Sequence, residues 1–338
     1  MPFRKYSSIE NSYRQKEIDY IVRCGFNHTD YKWSVSEKVH GASFSFALVS
    51  GQDHIRMAKR TSLIADDANF YGSQIVWKRY KDNVKLLMDH LQKEYPDNKD
   101  FIIYGEIYGG WYPHDDVEKV PNATRVQKGV YYNPDNDFYA FDIRVDENFL
   151  DKDVANELFK KFGFFYAKPL FEGTFEECLE YNNKYITTIP KRLGLPEIAD
   201  NFCEGNVIKP IKALTLPSGS RVILKNKNEI FNERSNKKVK IEIKMTDKMQ
   251  EVFDLLCSYI TENRLRNIIS HVGPVSNKEF GKVMGEMSKD IYKDFNKDYA
   301  DKLNDLEKKE QKRVKKIVGQ KTADLIRKNF LDIIDGTF

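Results

Sequence analysis

The stretch that decides the reading of this chain is Trp33-Ser34-Val35-Ser36-Glu37-Lys38-Val39-His40-Gly41-Ala42-Ser43-Phe44-Ser45-Phe46-Ala47-Leu48. Apolar and polar residues alternate on both sides of a short break at Gly41, which is the pattern of two strands joined by a tight connection. Lys38 lies at the end of the first strand, between a carboxylate (Glu37) and an imidazole (His40). A rigidly placed amine can attack phosphorus when it is present as the free base. The same five residues also suit an ordinary lysine beside a hairpin, so the decision rests on residues further down the chain.

The 338 residues allow one large domain or two of ordinary size. Hydrophobic residues make up 41%, which supplies a sizeable core and excludes wholesale disorder. No apolar run reaches the length of a membrane span, and the start, Met1-Pro2-Phe3-Arg4-Lys5, lacks a secretory apolar segment. An intracellular, membrane-free protein is expected. Cys24, Cys178, Cys203 and Cys257 form no CxxC pair and read as reduced thiols. The net charge of +4 does not by itself imply nucleic acid, but its distribution is uneven. One basic run includes Lys227, Arg234, Lys237, Lys238, Lys240 and Lys244, and can track a phosphate backbone. A second, Lys308, Lys309, Lys312, Arg313, Lys315 and Lys316, reads as a solvated helix face.

The spacing of Ile75, Val76, Tyr80, Val84, Leu87 and Leu91 predicts a helix within 69–95. Strands are predicted at 101–108, 138–145, 206–211 and 221–227, with turns at Gly109-Gly110, Asn133–Asn136 and Pro217–Gly219. The order is irregular and antiparallel-like, which favours an α+β domain. After about Met245 the pattern turns helical, with a capping-box sequence at Ser276–Glu279 and helix from 277 to 334. The change of pattern divides the chain into 1–240 and 241–338, with the basic segment before Met245 as the hinge.

Four further segments place charge at strands or strand ends. Lys59 and Arg60 close one strand, Glu106 lies on a face with Ile102, Tyr104 and Tyr108, Glu204 immediately precedes a strand, and Lys225 and Lys227 share a face with Ile223. Together they supply what nucleotidyl transfer needs: an amine for the α-phosphorus, cations for the developing charge, carboxylates for a metal and ribose, and an aromatic face, Phe141, for a base.

This ordered set resembles the covalent nucleotidyltransferase superfamily, and more narrowly the RNA ligase 2 family that includes the kinetoplastid RNA-editing ligases. Lys38-Val39-His40-Gly41 is similar to motif I in its KxHG form, Glu106 to motif III, Phe141-Asp142 to motif IIIa, Glu204 to motif IV, and Lys225 with Lys227 to motif V. Arg60, the start Lys5–Asn11 and Phe280–Gly285 are also family-like. The resemblance implies an α+β, ATP-grasp-like nucleotidyltransferase domain of antiparallel sheets followed by an all-helical domain.

It also implies an ATP-dependent RNA ligase that carries AMP on Lys38, passes it to a 5′-phosphate and seals a nick in duplex RNA, with Mg²⁺ or Mn²⁺. By the resemblance, Lys38, His40, Arg60, Lys225 and Lys227 are catalytic. Glu37 contacts the purine or the metal shell, Glu106 the ribose, Phe141 the adenine and Glu204 the metal. Arg264 and Asp290 are candidate RNA-binding residues. A monomer acting on nicked double-stranded RNA is expected. Two positions depart from the pattern: Ser43 where asparagine is common, and Asn206 where a larger apolar residue is common. A DNA ligase, a GTP-dependent capping enzyme and a non-catalytic RNA-binding relic stay open, although the first two usually carry a β-rich domain after motif V.

Overall fold

A computed structural model describes residues 3–232 and 245–338. The proposed basic hinge falls largely on residues outside these. The chain separates into two compact units, Met1–Asn228 and Glu229–Phe338.

In the first unit the elements run β1 (Glu10–Asn11), α1 (Gln15–Arg23), β2 (Trp33–Glu37), β3 (Ala42–Leu48), β4 (Arg56–Lys59), α2 (Ser73–Glu94), β5 (Phe101–Gly109), β6 (Asn136–Val145), β7 (Asn148–Phe149), α3 (Lys152–Lys161), β8 (Pro169–Gly173), α4 (Phe175–Glu180), α5 (Ile189–Arg192), β9 (Gly205–Pro210) and β10 (Leu224–Lys227). They build two five-stranded sheets, ordered β1-β10-β9-β2-β8 and β4-β3-β5-β6-β7. All the pairings are antiparallel except β1 with β10. The architecture is thus the α+β class read from the sequence.

Strand alternation sets the layers. Phe44, Phe46, Ile103, Ile107 and Phe138 bury one face of the second sheet against Val76, Val84, Leu87 and Leu91 of α2 and Phe159 of α3. Trp33, Val35, Ile208, Val222 and Leu224 pack with Ile21 of α1 and Phe175 of α4. Between the sheets lies a smaller cluster of Tyr6, Ala47, Val49, Ile102, Tyr104 and Ile223, joined by the partly buried Phe141 and Val207. Lys225 and Lys227 continue the face of Ile223, as the period of two requires.

A β-bulge breaks that period in β6. Tyr104 pairs with Asp142 and Gly105 with Ala140, so Phe141 has no partner opposite it. The extra residue turns two consecutive side chains, Phe141 and Asp142, toward the space between the sheets. Asp142 there is fully buried, accepting from Lys209 Nζ (2.7 Å), from both terminal nitrogens of Arg221 (2.7 and 2.9 Å) and from the Tyr6 hydroxyl (2.5 Å). One carboxylate therefore ties the two sheets and the N-terminal segment together.

The second unit holds a short 3-10 turn (Glu229–Phe231) and helices α6 (Asp247–Ser258), α7 (Glu262–Val272), α8 (Phe280–Asn304) and α9 (Lys308–Ile334). Phe253, Leu256, Leu265, Met287, Ile291, Phe295, Val314 and Ile326 form its core. Two local features differ from the sequence reading. Glu279 does receive the Ser276 amide (2.9 Å), but helix α8 starts at Phe280, so the pair closes a turn ahead of the helix. The helical run is also broken at Asp305–Glu307, where Glu307 and Glu310 form the capping box of α9. Among the described residues no helix is long and apolar enough to cross a membrane. All four cysteines are unpaired, and burial pushes the Cys178, Cys203 and Cys257 thiols up to about 11, 11 and 12.

Candidate nucleotidyl-transfer site

The site is built around Glu204. Strand β9 runs between β2 and β10, pairing Glu37 with Asn206 on one side and Lys227 with Gly205 on the other. The Lys38 amide donates to the Gly205 carbonyl (2.8 Å) and the Asn228 amide to the Glu204 carbonyl (2.9 Å). Backbone pairing thereby brings residues from three distant segments to one buried carboxylate. Lys38 Nζ lies 2.8 Å from Glu204 Oε2, Lys227 Nζ 3.0 Å from Oε1, and His40 Nδ1 3.5 Å from Oε2. Burial alone would raise the Glu204 pKa, but Lys38, Lys227 and His40 outweigh it and hold the group ionised, well below the usual carboxylate range.

Two glycines make the close approach possible. A Cβ on Gly41 would lie 2.3 Å from the Ile107 carbonyl oxygen and 2.7 Å from Glu106 Cγ. Gly205 has φ +139°, and a Cβ there would meet the Asn226 carbonyl oxygen at 2.2 Å. We expect Gly205→Ala to cost on the order of 1–3 kcal/mol from backbone strain alone and to pry β10 from β9. A thermal melt should show the loss, and transfer of label from nucleotide to protein should fall more than stability does, because Lys227 moves from Glu204.

Glu106 stands on β5 with Ser43 of β3 and Tyr139 of β6 directly opposite. Its carboxyl is pushed up to about 7, first by burial and also by the Glu204 charge, against the lowering effects of Lys38, Arg60 and the Gly41 amide. Arg60 follows β4 and contributes through its charge. A carboxyl raised from 4.5 to about 7 on folding binds a proton more tightly in the native state. The stability it supports is complete below about pH 4.5 and is lost as pH rises through 7. The stability of Glu106→Gln minus that of the native chain should therefore grow between about pH 5 and pH 9; equal melting differences at both ends would contradict this assignment.

The remaining positions separate clearly. Lys225 shares the inter-sheet face with Lys227, and the bulge turns Phe141 to that face, where its ring meets Tyr6 edge-on at 4.9 Å. Glu37 lies apart: its carboxylate is buried and accepts from the Thr187 hydroxyl and from the Thr188 amide (2.9 Å) and hydroxyl (2.6 Å). Burial raises its pKa against these bonds and the Arg192 charge. Thr187 and Thr188, which carry no pattern that marks them in the sequence, fix the strand end from which Lys38 emerges. Arg264 and Asp290 are in the helical unit, where Arg264 is 1% exposed and binds Asp290 of α8 and Asp294 Oδ2 (2.9 Å). The Arg264 guanidinium is thus engaged with acids of the helical unit. Asn206 is buried and held by the Tyr185 hydroxyl (2.8 Å) and the Asn182 carbonyl (3.0 Å), which explains a polar residue where an apolar one is common. His114 faces Asp116 on a surface turn.

Among the described residues no three histidine, cysteine or carboxylate groups converge into a metal cage. The buried Glu204 carboxylate suits a hard divalent ion such as Mg²⁺ or Mn²⁺, which keeps several of its waters and shares one or two carboxylates with substrate phosphates.

A buried carboxylate is thus clamped by two lysines from segments far apart in sequence. The chain belongs to the RNA ligase family, whose profile matches residues 31–227, while the T4 RNA ligase 2 C-terminal family matches residues 243–324. It is 28% identical to RNA-editing ligase 2, mitochondrial, of Trypanosoma brucei brucei, over 86% of this chain and 82% of that protein. RNA-editing ligase 1, mitochondrial, of the same organism is 26% identical over 75% of this chain and 59% of its own length. A mutant Naegleria gruberi RNA ligase solved with AMP and Mn is 18% identical with a TM-score of 0.44, covering 68% of this chain and 57% of that one. A likeness that loose adds nothing to the family assignment.

Proposed function

We propose that this RNA ligase uses ATP to seal 3′-OH/5′-phosphate nicks in duplex RNA. It acts as a monomer inside the cell, and Lys38 is the residue that becomes adenylylated. The observation that carries the reading is the Lys38–Glu204–Lys227 cluster, with His40 at its edge.

In this reading Glu204 takes up the charge of Lys38 and Lys227 before nucleotide arrives. When the triphosphate enters, its oxygens compete for Lys227 and Lys225, and Lys38 is released toward the α-phosphorus. The amine nitrogen forms the P–N bond as the α–β oxygen bond breaks, pyrophosphate carries away the electron pair, and a proton leaves the nitrogen. Lys225, Lys227 and Arg60 offset the charge on the phosphate oxygens. Glu106, with a pKa near 7, is suited to exchange hydrogen bonds with ribose hydroxyls, and Phe141 supplies a face for adenine. Glu204 would hold Mg²⁺, which supplies further neutralisation of phosphate charge. AMP then passes to the RNA 5′-phosphate, and the 3′-OH attacks that phosphate and expels AMP.

The test is to incubate the protein with Mg²⁺ and α-labelled ATP or GTP, and then with nicked duplexes of RNA or DNA. Label from ATP and sealing of the RNA nick are expected. Label from GTP alone would favour capping chemistry, and preference for DNA on both sides of the nick would overturn the RNA substrate.

A further inference from the structure

We infer that the N-terminal half of α9 is a binding surface for the phosphate backbone of duplex RNA, in addition to the contacts at the nick. Lys308, Lys309, Lys312, Arg313, Lys315 and Lys316 are all exposed. The intervening Val314 and the adjacent Ile317 and Val318 are buried in the helical core. The buried residues therefore orient the six cations outward as one face. Glu310 is the single carboxylate among residues 308–316. It closes the capping box with Glu307 and accepts from the Thr246 hydroxyl (3.0 Å). Among the described residues, none of the six cations makes a side-chain hydrogen bond or ion pair with a protein group.

This arrangement works against the helix that carries it. Cations at a helix N-terminus oppose the macrodipole, which favours acids there. Lys308/Lys312, Lys309/Arg313 and Lys312/Lys316 are like-charge neighbours at i,i+4. A face that only needed to be soluble would be expected to mix both signs, as the later part of the same helix does with Asp324, Arg327 and Asp332. An external polyanion removes both penalties, since it neutralises the repulsion and complements the positive helix end. From Lys308 to Lys316 the helix advances roughly 12 Å, a length over which a nucleic-acid duplex carries about seven phosphates. The match of charge and length favours a regular polyphosphate duplex over a single anion, and the absence of exposed aromatic residues among 308–316 argues against stacking on single-stranded bases.

The inference rests on the RNA ligase reading, and the two fail in different ways. The full chain and the quadruple variant Lys312→Gln/Arg313→Gln/Lys315→Gln/Lys316→Gln are compared for binding to a nicked RNA duplex over a range of salt. A second variant, Lys78→Gln/Lys81→Gln/Lys85→Gln on the exposed side of α2, serves as a reference for loss of charge elsewhere, and circular dichroism confirms that α9 stays helical. The α9 variant is expected to bind at least about tenfold more weakly at low salt, with a log–log salt slope shallower by roughly 2–4, while the α2 variant keeps the native slope. An unchanged slope in a helical α9 variant overturns the inference, as does an equal loss in the α2 variant. Affinity retained for RNA but lost for an acidic protein partner also overturns it. Failure of the native chain to take label from ATP would instead defeat the ligase reading.

Discussion

Lys38→Ala should take no label from α-labelled ATP, a loss of at least on the order of a thousand-fold in adenylylation. The fold should survive, because Glu204 keeps Lys227 at 3.0 Å and His40 at 3.5 Å as counter-charges. Lys38→Arg should be just as inactive: it preserves the ion pair with Glu204, but a guanidinium does not deprotonate to become a nucleophile. The pair of variants separates chemistry from electrostatics. If the arginine variant retained label while the alanine variant lost it, another residue would be the attachment point and Lys38 would serve only as a charge. Mass measurement of intact native protein after ATP, with peptide mapping, locates the adduct directly.

Asp142→Ala should produce the largest loss of stability of any single change considered. Lys209 and Arg221 both end on this carboxylate at 2.7 Å; Asp142 and Lys209 are buried, and the Arg221 side chain is 6% exposed. Burial drives the Lys209 pKa down to about 8 despite the ion pair, and that of the neighbouring buried Lys152 to about 7. Removing the carboxylate strands cations that have no water to turn to, a change that costs about 3–5 kcal/mol in buried pairs. That is a large share of the roughly 5–15 kcal/mol that holds a domain folded. Chemical denaturation should show the first unit losing its cooperative transition at much lower denaturant, with the helical unit less affected. A midpoint close to that of the native chain would mean that the Asp142 network is dispensable.

Much of this was legible because chemistry-bearing residues sat on regular strands. The alternation around Ile223 placed Lys225 and Lys227 on one face, and Val222 and Leu224 do lie in the opposite cluster. The α2 spacing was readable for the same reason, since its apolar stripe is buried against the second sheet. Other parts left no trace in any local pattern. Thr187 and Thr188 hold Glu37 across about 150 residues of chain, a relation that depends on tertiary folding alone. Asp142 read as the companion of Phe141, not as the tie between sheets, because its partners Arg221, Lys209 and Tyr6 come from three separate segments. Arg264 is a similar case: its burial depends on Asp290 and Asp294 of α8, 26 and 30 residues away, which no local pattern around Arg264 reveals.

The bulge in β6 makes the length of that strand part of the site. Before it, the even positions Phe138 and Ala140 face the helices; beyond it, the odd positions Ile143 and Val145 do. The strand is therefore two half-strands in opposite phase, spliced at Phe141. Such a strand cannot slide along β5 by one residue to absorb an insertion or deletion, because either half would then turn its apolar stripe into the inter-sheet space. The aromatic face offered to a base thus doubles as the pin of the sheet's register, and a gain or loss of one residue anywhere in 136–145 would be felt on both sides of it.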